Sequence, residues 1–287
     1  MDLPEECEEA HTSAFYLQRL QGILDSGLPF DSVCFKDASG TANPQKVYET
    51  FKGARELLGD DALIWYHTHD TAGVSVACNL AAIEGAATKD NNLGIDLAKS
   101  PVCGGTCQPD IISMWHALKG KPWTIDVDIM KIVEAEKIFE ECMKDYFIPI
   151  EAKQVSPIIP LSPMPGGALT ANTMMMRDTG TLHLYPEVIR EMTEVVKKGG
   201  FATSVTPVSQ FYFQQAYANV TQGKWKKITD GYGNMVLGYF GRTPSKPDSE
   251  IIKLAEKQLG KKPFDGHPLD ILEPGIPQAT KSLQENR

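Results

Sequence analysis

The sequence predicts an α/β fold over its first 120 residues and a mainly helical second half. In the first half, short apolar segments alternate with segments of helical periodicity, and successive strand candidates lie about thirty residues apart. That spacing is typical of parallel strands joined by right-handed helical crossovers. Beyond residue 120 the strand candidates stop and long amphipathic segments follow, so we expect two domains, at residues 1–120 and 121–287.

The composition describes a globular chain and excludes several classes of protein. Of the 287 residues, 42% are hydrophobic and 23% charged, which is typical of a folded domain. The formal net charge of −9 argues against a nucleic-acid-binding protein, which would normally have a basic face. No apolar run reaches the roughly 20 residues that a membrane span needs, and no signal peptide precedes the chain, so we expect a cytoplasmic protein. The six cysteines are then expected to be free thiols.

The elements of the first half follow from apolar periodicity and from start and stop signals. Asn43 and Pro44 begin a helix whose apolar positions, such as Val47 and Phe51, keep helical spacing, and Gly59 is placed to end it. The predicted order is a helix at residues 10–26, a strand at 30–37, a helix at 43–59, a strand at 63–71, a helix through 76–83, a strand at 94–98 and a helix at 109–118.

The second half is predicted from the same signals. Long helices are predicted at residues 126–146, 186–198 and 250–259, the last ended by Gly260, and a frayed tail at 274–287. Another helix begins at Thr206 and Pro207, with the threonine hydroxyl as the N-cap. Between them, residues 164–170 follow several prolines and, taken alone, favour a tight glycine-containing turn.

The strand at 63–71 turns polar at its end, where it presents His67 and His69. In an extended strand, residues two apart project from the same face, so both imidazoles point into one space. This pattern suits a divalent zinc, cobalt or manganese ion, and it equally suits a hydrogen-bonded histidine pair near a loop. Spacing alone leaves both interpretations open. Lys36, at the end of the preceding strand, is by itself an ordinary surface cation.

Six segments in one order make the chain resemble a known family. They are Phe35-Lys-Asp-Ala-Ser-Gly40, His67-Thr-His-Asp-Thr-Ala-Gly73, Gly94-Ile-Asp-Leu-Ala98, Met164-Pro-Gly-Gly-Ala-Leu-Thr170, Val205-Thr-Pro-Val-Ser-Gln210 and Gly238-Tyr-Phe-Gly-Arg-Thr-Pro244. The set resembles the carboxyltransferase family of biotin-dependent enzymes, which includes the B subunit of two-subunit pyruvate carboxylase, the α subunit of oxaloacetate decarboxylase and the 5S subunit of transcarboxylase.

The resemblance implies a TIM barrel followed by a helical domain, and a divalent metal. The family holds this metal with the two histidines of the HxH motif, a carbamylated lysine and an aspartate, which implies His67, His69 and Lys36 as ligands here. Carbamylation makes this reasonable, because it converts an ammonium that cannot ligate a cation into an anionic oxygen donor. In the family, the metal polarises the keto acid and stabilises the enolate.

The resemblance also implies a catalytic role for Thr170 alongside Lys36. The Thr170 hydroxyl, which both donates and accepts, is implied to carry a proton between the biotin ureido nitrogen and the substrate methyl. Gly166, Gly167 and Thr170 are implied to bind biotin, the glycines by letting the backbone approach a ring closely.

The chain departs from the family at its beginning. The family's first barrel strand carries Asp-x-Thr-x-Arg-Asp, which supplies the aspartate ligand, and this sequence has no such segment. We therefore expect an incomplete barrel with only its C-terminal strands, which is inactive alone. No biotin-attachment motif is present, so biotin is expected on a separate protein. The expected partners are pyruvate or oxaloacetate, biotin carrier and biotin carboxylase subunits, and further copies of the chain in a homo-oligomer.

Two alternatives remain open at this point. One is a metal-dependent lyase or condensing enzyme of the same barrel superfamily, which also uses HxH. The other is a non-catalytic truncated fragment that acts only in assembly.

Overall fold

A parallel three-stranded sheet organises the first half of the computed structural model, which describes residues 10–89 and 92–285. The strand order is β1-β2-β3, and β2 pairs with both neighbours in parallel. The elements of this half are α1 (Ser13–Asp25), β1 (Ser32–Asp37), α2 (Pro44–Leu58), β2 (Leu63–Thr68), α3 (Ser75–Ala86), β3 (Leu93–Ile95) and α4 (Ile111–Ala117). The alternation of strands and helices confirms the prediction of an α/β fold.

Local signals fix α2 as the sequence predicts. The Asn43 side chain accepts a hydrogen bond from Lys46 N at 2.8 Å, and Pro44 occupies the first turn, where its missing N–H leaves no bond unmade. Gly59 follows the helix with φ +80°, a conformation that side chains rarely adopt. The start and the end of α2 therefore follow from residues in its own sequence, Asn43 and Pro44 at the start and Gly59 at the end.

One face of the sheet is covered and the other is not. Ile64 and Tyr66 of β2 are buried against α2 and α3, and Phe51 of α2 makes aromatic contacts with Phe35 and Tyr66. Because strand side chains alternate, Cys34 and Lys36 of β1 and Trp65 and His67 of β2 lie on the opposite face. Trp65 is 36% exposed there, although parallel sheets are ordinarily covered on both faces.

Arg55 closes the end of the sheet at which the strands begin. Arg55 is buried, and its guanidinium donates to five backbone carbonyls of the described residues. The acceptors are Gly59 O at 2.8 Å, Asp60 O at 3.3 Å, Ala62 O at 2.7 Å, Ala86 O at 3.0 Å and Asn92 O at 2.9 Å. One side chain thus joins the ends of α2 and α3 to the residues that immediately precede β2 and β3.

The second half is helical and has its own core. Its helices are α5 (Ile129–Met143), α6 (Ile150–Lys153), α7 (Gly166–Asp178), α8 (Tyr185–Lys198), α9 (Val208–Gln222), α10 (Asp230–Val236), α11 (Ser249–Leu259) and α12 (Gly275–Glu285). The largest hydrophobic cluster lies here, where Ile189 and Met192 of α8 pack with Tyr212 and Phe213 of α9 and Tyr232 of α10. The boundary at residue 120 stays a prediction.

His11 ties the start of the described chain to this core. It is fully buried, its Nε2 donates to Phe201 O at 2.7 Å, and its Nδ1 accepts from the Tyr16 hydroxyl at 2.7 Å. Burial is the main reason that the pKa of His11 is lowered to about 4. The ring is therefore neutral at pH 7.

Four local predictions are corrected. Thr206 is not an N-cap, because α9 begins at Val208 and the Ser209 amide that it would cap already donates to Val205 O. The segment 164–170 is not a tight turn, since α7 begins within it. The third strand is only three residues long, and the tail forms α12, whose side chains are all exposed.

The predictions on cysteines and on membrane spans can be compared with the described residues. Cys34, Cys78, Cys103, Cys107 and Cys142 are free thiols, as predicted. Cys7 lies outside the described residues. Among the described helices, none combines the length and the apolar character needed to cross a bilayer.

Candidate metal centre

Three predicted ligands lie at the end of the sheet where the strands finish. Lys36 and His67 are directly opposite each other in the parallel register of β1 and β2. His69 follows β2, and its amide donates to Asp37 O at 3.2 Å, which holds it beside the end of β1. The polar ends of neighbouring parallel strands meet at one edge, as in other α/β sites.

The hydrogen bonds of the two imidazoles fix their tautomers. His67 Nδ1 lies 2.7 Å from Asp96 Oδ2, and His69 Nδ1 lies 2.6 Å from Thr106 O. A carbonyl or an ionised carboxylate only accepts, so each Nδ1 carries the hydrogen. In the neutral form of each ring, Nε2 is then a lone-pair acceptor, and the two Nε2 atoms face each other across 3.1 Å. Burial is the main cause of the lowered pKa of His69, which keeps that ring neutral.

This arrangement fits two ligands of one divalent cation. Two lone pairs at 3.1 Å repel each other unless a cation or a donated hydrogen lies near both. Two imidazole nitrogens at about 2.0–2.1 Å from a tetrahedral zinc ion are about 3.3 Å apart, close to the observed separation. Asp96 orients His67 in the manner common for metal-binding histidines, by accepting from its other nitrogen. Within residues 10–89 and 92–285, no cluster of three or more His, Cys, Asp and Glu side chains could hold a metal.

Gln108 also reaches the point where the two rings meet. Its amide Nε2 lies 3.2 Å from His67 Nε2 and 3.3 Å from His69 Nε2. The amide carries two hydrogens and can donate one to each lone pair. The pair of histidines thus has a third polar neighbour, which sequence reasoning did not select.

Lys36 lies beside this pair on the neighbouring strand. Its side chain is exposed, and the register of β1 and β2 places it next to His67. An ammonium has three donors and no lone pair, so the unmodified side chain cannot act as a ligand. The carbamylation of Lys36 stays a prediction.

Thr170 is joined to the histidines through a single residue. Its Oγ1 lies 2.9 Å from Thr106 Oγ1, and the carbonyl of Thr106 is the group that accepts from His69. Thr106 Oγ1 also donates to Ala152 O at 3.1 Å. Since the Thr106 hydroxyl has only one hydrogen, Thr170 is the donor in the pair and keeps its lone pairs free.

Gly166 and Gly167 begin α7 and differ in their surroundings. A Cβ on Gly166 would lie 1.9 Å from Thr106 O and 2.6 Å from His69 Nδ1, and its amide donates to Ala38 O at 3.0 Å. A Cβ on Gly167 would meet nothing within 4 Å. Gly166 therefore lets α7 dock on the site, while Gly167 leaves backbone open to the surroundings.

Comparison with known proteins identifies the family. Residues 159–287 match the family model described as a conserved carboxylase domain. The 5S subunit of methylmalonyl-CoA carboxyltransferase from Propionibacterium freudenreichii subsp. shermanii is 31% identical over 265 residues, which cover 92% of this chain and 51% of that protein. The B subunit of pyruvate carboxylase from Methanocaldococcus jannaschii is 31% identical over 279 residues, covering 96% of this chain and 47% of that protein. Residues 159–287 belong to this conserved carboxylase domain family, and more than nine-tenths of the chain is related to these two subunits.

The fold agrees with this family. The carboxyltransferase domain of Rhizobium etli pyruvate carboxylase, in a structure with pyruvate and biocytin, superposes with a TM-score of 0.83 at 24% identity. The superposition covers 100% of this chain and 48% of that one. The chain spans about half the length of the curated relatives it matches.

Three residues of the candidate site were missed from the sequence. Asp96 follows β3, so the rule that polar residues gather where parallel strands end could have selected it. Thr106 and Gln108 lie in the loop between β3 and α4, where no periodicity distinguishes them. Their positions depend on contacts with His69 and Thr170, which are distant along the chain.

Proposed function

We propose that the chain is the C-terminal portion of a carboxyltransferase that moves a carboxyl group between carboxybiotin and the pair pyruvate and oxaloacetate. The observation that carries the proposal is the convergence of the Nε2 atoms of His67 and His69, 3.1 Å apart, in a site that Thr106 connects to the hydroxyl of Thr170. The substrate class is supported by two relatives that are B subunits of pyruvate carboxylase.

His67 and His69 would hold a divalent cation, with Lys36 as a carbamate ligand. Zinc, cobalt and manganese all accept imidazole nitrogen, and a carbamate adds the oxygen that Lys36 lacks in its charged form. When bound, the cation supplies Lewis acidity that stabilises negative charge on the keto-acid oxygen. Residues of the chain would position the cation, because Asp96 and the Thr106 carbonyl hold the two rings in the tautomer whose lone pairs converge.

Thr170 would move the proton. In the resting site its hydrogen is donated to Thr106 Oγ1, which leaves lone pairs on its own oxygen. During carboxylation, the hydroxyl would give this hydrogen to the biotin ureido nitrogen as the carboxyl group leaves that nitrogen, and its oxygen would take a proton from the substrate methyl. The hydroxyl is thereby regenerated, and the reverse direction uses the same two transfers. The open backbone at Gly167 supports a biotin ring approaching the start of α7 beside Thr170, with Gly166 fixing the helix position.

The sheet supports the proposal that the site is completed by further strands. Among the described residues, β1 and β3 each pair on one side only, and the face that carries Lys36 and Trp65 is open. We propose that these strands, with residues 1–120, are the last strands of a TIM barrel, that residues 121–287 are its helical domain, and that the relatives' other half supplies the rest. Biotin would arrive on a separate carrier, charged by a biotin carboxylase subunit, and the assembly would be a homo-oligomer.

The test uses the chain in its native assembly, isolated through an affinity tag with the polypeptides that accompany it. Biotin-dependent exchange of labelled carbon between pyruvate and oxaloacetate is measured for the wild type and for Thr170→Ala, Thr170→Ser and Thr179→Ala. Loss of a proton carrier should lower exchange about 100-fold or more in Thr170→Ala. Thr170→Ser keeps the hydroxyl, and Thr179→Ala removes an exposed hydroxyl at the end of the same helix, so both should retain activity.

Each other outcome has a defined meaning. Full activity in Thr170→Ala would refute the proton-carrier role. Stoichiometric metal without exchange in the wild type would refute carboxyl transfer in favour of a metal-dependent lyase or condensing enzyme. If wild type shows neither bound metal nor exchange, the remaining interpretation is a fragment that acts only in assembly.

A further inference from the structure

The amide nitrogen of Gln108 forms a triangle with the Nε2 atoms of the two histidines. The distances are 3.1 Å between His67 Nε2 and His69 Nε2, 3.2 Å from the amide to His67 Nε2 and 3.3 Å from the amide to His69 Nε2. The loop that carries Gln108 is fixed by backbone hydrogen bonds, since Asp70 N donates to Cys107 O at 2.7 Å and Gly104 N donates to Gln108 O at 2.8 Å. The triangle is therefore built into the backbone that also carries the histidine pair.

The size of this triangle is that of one face of a metal coordination shell. With ligand distances of about 2.0–2.1 Å, neighbouring ligands lie about 3.3 Å apart around a tetrahedral ion and about 2.9 Å apart around an octahedral one. All three sides fall between these values. A polar atom of Gln108 thus lies where a third ligand belongs.

The side-chain amide can present oxygen as well as nitrogen at that corner. As placed, Nε2 faces the two rings, while Oε1 accepts from Cys107 Sγ at 3.1 Å. The two ends of an amide have nearly the same shape, so a half-turn of its terminal torsion exchanges them. After the half-turn, Oε1 faces the histidines, and the amide hydrogens face the sulfur, which is a weak acceptor.

We propose that Gln108 is a protein ligand of the divalent cation through Oε1, and that its amide hydrogens satisfy the two Nε2 lone pairs when the cation is absent. The inference rests on the proposed metal centre. It concerns a neutral oxygen donor, which borderline divalent ions accept together with imidazole, and which adds no negative charge to reduce the Lewis acidity of the ion.

The experiment measures Co²⁺ binding by calorimetry and by visible absorption, which reports the ligands around cobalt. Wild type, Gln108→Leu, Gln108→Glu and the control Gln21→Leu, an exposed position on α1, are compared after circular dichroism has shown that they are folded. Gln108→Leu should weaken Co²⁺ binding at least about tenfold and change the absorption bands. Gln108→Glu keeps an oxygen ligand and should bind at least as tightly as wild type, and Gln21→Leu should match wild type.

The other outcomes overturn the inference or separate it from the proposed function. Unchanged affinity and spectrum in Gln108→Leu, with loss of Co²⁺ in His67→Ala, would remove Gln108 from the ligands and leave the metal centre standing. Weaker binding with an unchanged spectrum would also refute direct coordination. A wild type that binds no Co²⁺ would overturn both proposals. Loss of binding in Gln108→Leu, with no biotin-dependent exchange in wild type, would support the ligand and refute only the carboxyl transfer.

Discussion

Gly166→Ala places one methyl group against the two atoms that connect α7 to the site. The new Cβ would lie 1.9 Å from Thr106 O and 2.6 Å from His69 Nδ1, whereas ordinary contacts begin near 3.4 Å. Helix and loop must then separate by more than an ångström, because the nearest obstruction is a backbone carbonyl. Overpacking of this kind costs about 1–3 kcal/mol.

The position of His69 should change as well, because the Thr106 carbonyl that would be displaced accepts its Nδ1 hydrogen at 2.6 Å. Losing such an orienting bond typically lowers metal affinity about 10- to 100-fold. With an unfolding entropy of about 2.1 cal/mol/K per residue, each kcal/mol lowers the melting temperature of a 287-residue chain by about 2 °C. The expected loss is thus roughly 2–5 °C, together with weaker metal binding.

The next residue offers a matched control. Gly167→Ala makes the same chemical change one position along the same helix, where a Cβ meets nothing within 4 Å. It should leave metal affinity unchanged and stabilise the chain by up to about 1 kcal/mol through helix propensity. Thermal unfolding and Co²⁺ calorimetry on both variants provide the assay. Equal melting temperatures and equal metal affinities for the two variants would refute the docking role of Gly166.

Three further predictions concern groups that the structure buries or orients. The pKa of His11 is about 4 in the folded chain and about 6.5 in the unfolded chain, so the stability that its neutral form contributes is complete above pH 6.5. As the pH falls from 6.5 towards 4, wild type should lose about 3 kcal/mol of stability that His11→Gln does not lose. The melting temperatures of the two proteins should therefore converge at low pH, and a difference that is constant from pH 4 to 7 would contradict this. Arg55→Lys replaces a five-donor fork by three donors and should lower the free energy of unfolding by about 2–4 kcal/mol in urea titrations, whereas Arg19→Lys, on the exposed side of α1, should have almost no effect. Asp96→Ala frees His67 Nδ1 and should weaken Co²⁺ binding about 10- to 100-fold without altering thermal stability by more than about 1 kcal/mol; unchanged affinity would show that the His67 tautomer does not depend on the carboxylate.

Sequence patterns predicted the elements whose signals are local. Helix α2 begins and ends where Asn43 and Gly59 indicate, since capping and glycine conformation act within a few residues. The alternation of strand side chains predicted that the imidazoles of His67 and His69 point into one space, and the strand rhythm predicted a parallel sheet. These features need no knowledge of the rest of the chain.

The features that were missed depend on distant contacts. Helix α7 begins with two glycines, which weaken its helical signal, and its start is set by the fit of Gly166 against Thr106. Thr106 and Gln108 lie in a loop that takes part in the site only through its contacts with His69, which local sequence patterns do not show. Thr206 resembles an N-cap by residue type, but the backbone bond from Ser209 to Val205 takes the donor that it would need.

The carbonyl cluster around Arg55 has a consequence for how this chain can be altered. Arg55 donates hydrogen bonds to the residues that precede β2 and β3, and the two histidines lie at the other end of β2. A six-residue strand separates the two by about 17 Å, at roughly 3.3 Å per residue. Substitutions that far apart ordinarily act independently, so the penalties of Arg55→Lys and Gly166→Ala should sum in the double variant. The residues around His67 and His69 can then be redesigned for another metal or another keto acid, while the hydrogen bonds of Arg55 preserve the fold.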